Sequence, residues 1–112
     1  MVVDHDVVTD RIFGALADVT RRDILARTAR APESVSGLAR HYEMSFAAVQ
    51  KHVAVLERAA LVTKERRGRE QLVRTYLPTL RKAAELLEAY QLLWEQRVDA
   101  IADILAEEGN PP

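Results

Sequence analysis

Residues 34–56, SVSGLARHYEMSFAAVQKHVAVL, constrain the fold more than any other stretch, because they predict two short helices joined by a tight turn. Ser34 and Ser45 each precede a helical pattern, and a serine hydroxyl at that position accepts a hydrogen bond from a free backbone N–H of the first turn. Glu43 and Met44 supply the turn between the helices. We therefore predict a helix-turn-helix.

The second of these helices has two chemically different faces. One face is apolar, with a spacing of three and four residues that predicts a buried stripe, and it consists of Phe46, Val49, Val53 and Leu56. The opposite face carries small, amide and cationic side chains, namely Ala47, Gln50, Lys51 and Ala54. A helix that is apolar behind and small and polar in front fits the major groove of DNA.

Length and composition limit the class of protein. The 112 residues fit one domain with a modest core, and 48% hydrophobic with 29% charged residues is typical of a soluble globular protein. The chain has no run of about 18 apolar residues, as a membrane span needs. Its acidic N-terminus lacks a signal-peptide pattern, and it has no cysteine for a disulfide or thiolate site. We expect a cytoplasmic protein without membrane contact.

The charge is segregated along the chain, although the net charge is only −1. Residues 1–20 carry one basic and four acidic side chains, and residues 79–112 carry three basic and seven acidic ones. Residues 21–78 carry twelve basic and six acidic side chains. A basic middle between acidic ends indicates one face that meets phosphate, although chance clustering on a solvated surface is the alternative.

Two further helices are predicted before the helix-turn-helix. The first covers residues 9–17, with Thr9 as its cap. The second begins at Thr20, because Thr20 and Asp23 have the spacing of a capping box. A solvated surface explains most of the arginines in this second helix. Arg21 and Arg22 lie at its start, where they do not complement the helix dipole, so a phosphate contact stays open for them.

A β-hairpin is predicted after the helix-turn-helix. Residues 61–63 and 72–77 have the β-branched and aromatic content of strands, and Gly68 lies in the turn. The basic side chains of the hairpin are Lys64, Arg66, Arg67, Arg69 and Arg74. Exposed hairpins carry charge to stay soluble and to protect their edges, but a hairpin this basic also suits a wing on the phosphate backbone or in the minor groove.

One long helix is predicted over residues 79–107, opened by Pro78. Its apolar seam consists of Leu80, Ala83, Leu87, Tyr90, Trp94, Val98, Ile101 and Leu105. About 29 residues span roughly 43 Å, which is longer than so small a domain covers. We expect part of the seam to lie on the chain's own core and a second copy to cover the rest. Residues 1–8 are predicted to be a flexible N-terminus and residues 108–112 a frayed tail, so the domain covers residues 9–107.

This order of elements resembles the ArsR/SmtB family of bacterial winged-helix transcriptional regulators. The resemblance extends from about residue 12 to residue 105. Its most specific segments are FGALADVTRRDIL (13–25), MSFAAVQKHVAVLERAALV (44–62) and the wing ERRGRE followed by VRTYLP. It implies a mainly α fold with a β-hairpin wing, which dimerises through the first and last helices and places two recognition helices in successive major grooves of a pseudo-palindromic operator.

The residues and the resemblance together give the candidate sites. The recognition helix would contact DNA through Ser45, Ala47, Ala48, Gln50, Lys51 and His52, and the wing through Lys64, Arg66, Arg67 and Arg69. The dimer interface would consist of Ile12, Phe13, Leu16, Leu87, Tyr90, Trp94, Val98, Ile101 and Leu105. Gln50 can pair with an adenine edge and Lys51 with guanine or phosphate, whereas His52 could contact phosphate or pack beside the helix.

The chain departs from the family pattern in three ways, and the first is Gln50, which replaces a common serine and would shift the base preference. Ala60 stands where the family commonly has glycine, so a left-handed backbone there would be strained. The family's metal sites use cysteines near the recognition helix or histidines on the last helix, and this chain has neither. The group Asp4-His5-Asp6 is better read as an acidic terminus than as a metal site. We therefore predict no metal and no other cofactor, and leave open a small-molecule or protein effector.

These observations predict a DNA-binding transcriptional regulator that acts as a homodimer and represses, because occupying a promoter is the simplest action for so small a protein. The alternatives are a winged-helix module that binds another protein and an architectural protein that binds DNA without sequence preference. No nucleophile–base pair or phosphate loop stands out, and the fold offers little concave space, so we predict no enzymatic activity.

Overall fold

The computed structural model describes residues 6–109, which form two units that divide after Arg81. The first unit contains the elements α1 (Val7–Leu16), α2 (Val19–Arg30), β1 (Glu33–Ser34), α3 (Val35–Ala39), α4 (Phe46–Arg58), β2 (Val62–Arg67) and β3 (Glu70–Thr75). The last helix, α5 (Leu77–Gly109), begins in the first unit, and its residues 82–109 form the second. The mainly α winged helix-turn-helix fold predicted from the sequence is thereby confirmed.

The small sheet is antiparallel, with the strand order β1-β3-β2. The predicted hairpin is present as β2 and β3, with Val62 opposite Thr75 and Arg67 opposite Glu70. The strand β1 is not predicted from the sequence, because two residues are too few for a strand pattern. This short strand pairs Glu33 with Val73, and it thereby joins the start of α3 to the base of the wing.

The core of the first unit lies where the helices pack on one another and on the sheet. α1 and α2 both contact α4, while α2 and α3 both contact β3. The most deeply buried side chains are Ile12, Ile24, Leu38, Val49, Val53, Leu56, Leu61, Val62 and Val73. The hydroxyl of Thr75 donates to the carbonyl of Leu25 at 3.0 Å, so the end of β3 is also hydrogen-bonded to α2.

The first two helices begin earlier than the sequence predicts, because aspartates cap both of them. The carboxylate of Asp6 accepts from the Thr9 N–H at 3.2 Å, so α1 begins at Val7 and Thr9 is not the cap. The carboxylate of Asp18 accepts from the Arg21 N–H at 3.0 Å, so the predicted capping box of Thr20 is wrong. Aspartate and threonine both suit the cap position, so spacing alone does not choose between them.

The end of α4 confirms the strain expected at Ala60. Ala60 has φ of 58°, in the left-handed region. Its N–H donates to the Glu57 carbonyl at 2.9 Å, and the Leu61 N–H donates to the Leu56 carbonyl at 3.0 Å. This pair of hydrogen bonds is the Schellman motif, which usually places glycine at the left-handed residue. Leu56 and Leu61 are both fully buried, which is the apolar contact that accompanies the motif.

The last helix is longer than predicted. Its 33 residues, Leu77–Gly109, span about 50 Å at 1.5 Å per residue. Residues 108 and 109, predicted to be frayed, are helical. Residues 6–8 of the predicted flexible N-terminus include the cap and start of α1, while residues 1–5 and 110–112 lie outside the described chain. Every residue from 87 to 109 is exposed within the chain.

Two apolar side chains lie elsewhere than predicted. Ile12 is only 1% exposed, so it belongs to the core of the chain and is not available to a partner, which corrects its place in the dimer interface. Phe46 is 48% exposed and does not continue the buried stripe of Val49, Val53 and Leu56. Spacing puts residues on one face of a helix, but Phe46 is the first residue of α4, where that face extends past the core.

Candidate nucleic-acid interface

The start of α4 presents the small and polar side chains that the sequence predicts. The hydroxyl of Ser45 accepts from the Ala48 N–H at 3.1 Å and so fixes the first residue of the helix. Ser45, Ala47, Gln50 and Lys51 are exposed, and Ala48 is half-buried. The opposite side of the helix is anchored in the core, so these side chains lie on a rigid support.

His52 differs from these exposed residues, because its side chain contacts α2. Its side chain is half-buried, and its Nδ1 lies 3.3 Å from a guanidinium nitrogen of Arg21 and 3.9 Å from a carboxylate oxygen of Asp18. Since a guanidinium group has donors and no acceptor, Nδ1 is the acceptor in a hydrogen bond between the two side chains. The sequence left packing beside the helix open for His52, and the structure shows that arrangement.

Arg21 and Arg22 stabilise the end of α1. Arg21 donates from Nε to the Ala15 carbonyl at 2.8 Å and from Nη2 to the Gly14 carbonyl at 3.1 Å. Arg22 donates from Nη1 to the Leu16 carbonyl at 2.8 Å. The last carbonyls of a helix have no partner within the helix, so both arginines serve as a cap supplied by the next helix.

The carboxylate of Asp18 completes this junction between α1, α2 and α4. The hydrogen bond from the Arg21 backbone N–H is the main cause that holds the pKa of Asp18 below its usual value. Partial burial opposes that shift, and the guanidinium of Arg21 adds to it. Arg21 therefore caps α2 with Asp18 through its backbone and contacts α4 at His52 through its side chain.

The wing displays three exposed arginines around a two-residue turn. Gly68 has φ of 61°, and Arg69, the other turn residue, does not have a positive φ. That is the backbone pattern of a type II′ turn, in which glycine takes the first central position. Arg66, Arg67 and Arg69 are all exposed, and Arg67 lies 3.9 Å from Glu65.

Lys64 differs from these arginines, because its ammonium group is engaged within the protein. It is 3.4 Å from the carboxylate of Glu57 on α4, and its side chain is 26% exposed. From the sequence, Lys64 is predicted to contact DNA together with the wing arginines. In the structure it joins β2 to α4 and so lies at the base of the wing.

One open cleft of about 250 Å³ brings the recognition helix and the wing together. Phe46 and Gln50 of α4 line one side, Arg66 and Arg69 of the wing line the other, and Ser36 of α3 contributes as well. Small-molecule sites are usually larger and enclosed, whereas this cleft is open, and its lining includes the carboxylate of Glu70 beside the arginines. Ser36 and Phe46 were missed as site residues, because neither carries a charge and Phe46 follows the apolar spacing.

A hydrogen-bond network fixes the turn of the helix-turn-helix to α2. The hydroxyl of Tyr42 donates to the carboxylate of Asp23, which also accepts from Arg27 Nε at 2.8 Å. These two hydrogen bonds, that from Tyr42 first, hold the pKa of Asp23 below its usual value. Burial is the larger cause, and the hydrogen bond to Asp23 the smaller, that raises the pKa of Tyr42 to about 12.

A second pair, His41 and Glu33, joins the residues after α3 to β1. His41 Nε2 lies 2.7 Å from a carboxylate oxygen of Glu33. Together with the Tyr42–Asp23 hydrogen bond, this contact holds the turn before α4 from two sides. The recognition helix is therefore oriented by polar contacts at both of its ends.

Within residues 6–109, no group of three His, Asp or Glu side chains could hold a metal ion. The sequence group Asp4-His5-Asp6 lies mostly outside the described residues. None of the helices described here has the length and apolar character that crossing a bilayer needs.

Comparison with known proteins decides the family. The family model described as a helix-turn-helix domain matches residues 16–65. The HTH-type transcriptional regulator Rv2034 of Mycobacterium tuberculosis is 35% identical over 101 residues, which cover 90% of this chain and 92% of that protein. An ArsR-like transcriptional regulator from Rhodococcus sp. RHA1 is 36% identical, covers 88% of this chain and 92% of its own, and superposes with a TM-score of 0.75.

The chain belongs to the ArsR family of winged helix-turn-helix transcriptional regulators. It is therefore a DNA-binding regulator and not an enzyme, as the sequence predicts. The fold alone is shared with the homodimeric winged helix-turn-helix DNA-binding domain of Mb0332 from Mycobacterium bovis, which is 22% identical with a TM-score of 0.64 and covers 81% of this chain and 91% of that one.

Proposed function

We propose that this ArsR-family protein represses transcription in the cytoplasm by binding an inverted-repeat operator as a homodimer. The observation that carries the proposal is the cleft in which Gln50 of α4 faces Arg66 and Arg69 of the wing. Gln50 can accept and donate to an adenine edge in the major groove, while the arginines can bind the neighbouring phosphates. Base reading and phosphate binding then occur on adjacent parts of one duplex.

The homodimer rests on the apolar side chains of residues 87–109. Leu87, Tyr90, Trp94, Val98, Ile101 and Leu105 are all exposed within the chain. A contiguous apolar surface of this kind marks an interaction site, and the related fold from Mycobacterium bovis is homodimeric. Two copies would place two recognition helices about one helical turn of DNA apart, roughly 34 Å, as a two-fold symmetric site requires.

The experiment that tests this proposal is selection of bound fragments from the source genome by the purified protein at two salt concentrations. We expect enrichment of one inverted repeat that persists at the higher salt. Equal binding to all fragments that collapses with salt would indicate an architectural protein. No binding to DNA would favour the interaction module. Reporter expression from a promoter carrying the repeat then shows whether the protein represses.

A charge-reversed wing tests which surface binds DNA. Replacing Arg66, Arg67 and Arg69 by Glu should weaken binding to the selected repeat by about 100-fold or more. The slope of log affinity against log salt should become shallower by the equivalent of about three phosphate contacts, at about 0.9 per contact. The dimer should persist, because none of the three lies on α5. The matched control carries the same change of charge at Arg30→Glu, Arg81→Glu and Lys82→Glu, which lie outside the wing and outside residues 87–109. Equal losses in both triple variants would contradict a specific role for the wing.

A further inference from the structure

Phe46 leaves almost half of its surface exposed, although it has the spacing of a core residue. Full burial of a phenylalanine side chain stabilises a folded chain relative to leaving that side chain exposed. The other residues of the same stripe are buried, namely Val49, Val53 and Leu56, but Phe46 is not. A single exposed apolar side chain is common on protein surfaces, so its position decides whether it has a role.

Phe46 lies where a recognition helix approaches the bases. In helix-turn-helix proteins the N-terminal residues of the second helix contact base edges, and Phe46 is the first residue of α4. Gln50 is four residues on and so lies on the same side of the helix. Both line the cleft opposite Arg66 and Arg69. The ring thus shares the cleft with an amide that can bind a base, with two cations that can bind phosphate and with the carboxylate of Glu70.

The chemistry of a phenyl ring selects one feature of the major groove. The ring has no donor or acceptor for the polar base edges, and the apolar group that base pairs present there is the 5-methyl of thymine. Insertion of an aromatic ring between base steps belongs to the minor groove and to sharply kinked DNA. At the start of a recognition helix beside Gln50, contact with the methyl group is the arrangement that fits.

We propose that Phe46 is a specificity-determining residue, which packs against the 5-methyl group of a thymine next to the adenine that Gln50 binds. This inference rests on the proposed function. The recognition helix then reads two adjacent A·T pairs by different chemistries, one by hydrogen bonds and one by apolar contact. The exposure of Phe46 in the free protein is the consequence, because the side chain that contacts the methyl group has to lie outside the core.

The test removes single methyl groups from the DNA. Each thymine of the selected inverted repeat is replaced in turn by deoxyuridine, symmetrically in both half-sites, and the affinity of each duplex for the full-length protein is measured. We expect one position at which the loss is about fourfold per half-site, the effect of one buried methyl group. In Phe46→Ala the thymine and deoxyuridine duplexes should bind equally at that position, while the dependence on salt stays as in the wild type.

The matched control is Gln50→Ala, which should lose its preference for the neighbouring adenine and keep the methyl effect. Phe46 is exposed, so Phe46→Ala should retain the helical circular dichroism of the wild type, and the deoxyuridine series on the wild type does not depend on any variant. A selected repeat without a methyl effect, or a methyl effect that persists in Phe46→Ala, overturns this inference alone. Failure to select any repeat overturns the proposed function together with it.

Discussion

α4 and the distal part of α5 carry apolar residues at the same spacing of three and four, but they differ in burial. Val49, Val53 and Leu56 of α4 are at most 1% exposed, whereas Tyr90 and Trp94 of α5 are more than 60% exposed. Burial of such side chains is the main source of stability in a folded chain. The first unit thus supplies the partners of its own apolar face, and residues 87–109 do not.

This difference in burial shows how much the periodicity of apolar residues can predict about a helix. It identifies the residues that share one side of a helix, and it does not identify the surface that covers them. For α4 that surface is the rest of the first unit. For residues 87–109 we propose a second copy, so stability should depend on protein concentration for one region and not for the other.

The largest effect is expected from a substitution in residues 87–109 that should disrupt the dimer and leave the first unit folded. Trp94→Asp puts a charge on the proposed interface, so it should raise the dimer dissociation constant at least 100-fold and abolish the dependence of the melting temperature on protein concentration. Analytical ultracentrifugation and thermal unfolding at several concentrations measure both quantities.

Leu56→Ala is the matched control in the first unit. It should lower the free energy of unfolding by about 2–5 kcal/mol at every protein concentration, because it leaves a cavity in a fully buried site. If Trp94→Asp remains a dimer with unchanged thermal behaviour, the proposed seam is wrong.

Separate substitutions of two arginines distinguish a residue that supports the fold, Arg21, from one that we propose to contact DNA, Arg69. Arg21→Gln removes the hydrogen bonds to the end of α1 and should lower the free energy of unfolding by about 1–3 kcal/mol, without changing the slope of DNA affinity against salt. Arg69→Gln should do the opposite and lower that slope by about 0.9, the value for one phosphate contact. A changed salt slope in Arg21→Gln would show that Arg21 contacts phosphate after all.

The burial of Tyr42 and its hydrogen bond to Asp23 should make the first unit sensitive to pH at both extremes. The pKa of Tyr42 is about 12 in the folded chain and 10 without the fold, so the folded state holds the proton more tightly. The stability that this provides is complete below pH 10 and is lost as the pH rises towards 12. The pKa of Asp23 is lowered from 3.8, so its contribution is present above pH 3.8 and is lost below it.

Urea unfolding across the pH range measures these contributions. Tyr42→Phe should cost about 1 kcal/mol at neutral pH, because it removes one hydrogen bond to a carboxylate, and it should reduce the loss of stability above pH 10. Tyr90→Phe, in the exposed part of α5, is the control and should retain the alkaline loss. An alkaline profile that is identical in Tyr42→Phe and the wild type would contradict the assignment to Tyr42.

The smallest expected effect concerns Ala60, at the end of α4. A left-handed alanine is strained by about 1 kcal/mol, and glycine relieves the strain while making the unfolded chain more flexible. Ala60→Gly should therefore raise the free energy of unfolding by a few tenths to about 1 kcal/mol. Ala54→Gly, within α4, should lower it by about 1 kcal/mol. Destabilisation by Ala60→Gly would show that the left-handed turn is not a source of strain.

Much of this architecture could be predicted from local patterns. The caps at Ser34 and Ser45, the buried stripe of α4 and the basic hairpin follow from residue type and spacing, which act over one or two turns of chain. The roles of Arg21 and His52 could not be predicted, because their partners lie up to 31 residues away in the sequence. The exposure of Phe46 depends on where the core ends, and this too is set by the tertiary fold.

The measurement that tests the central claim most directly compares the selected inverted repeat with a version in which about five base pairs are inserted between the half-sites. Half a helical turn moves one half-site to the opposite side of the duplex. If two recognition helices are held together by a dimer, the protein should bind the intact repeat as two chains and lose most of its affinity for the altered one. Equal affinity for the two duplexes would mean that each chain binds on its own, and would contradict the dimeric operator-binding account.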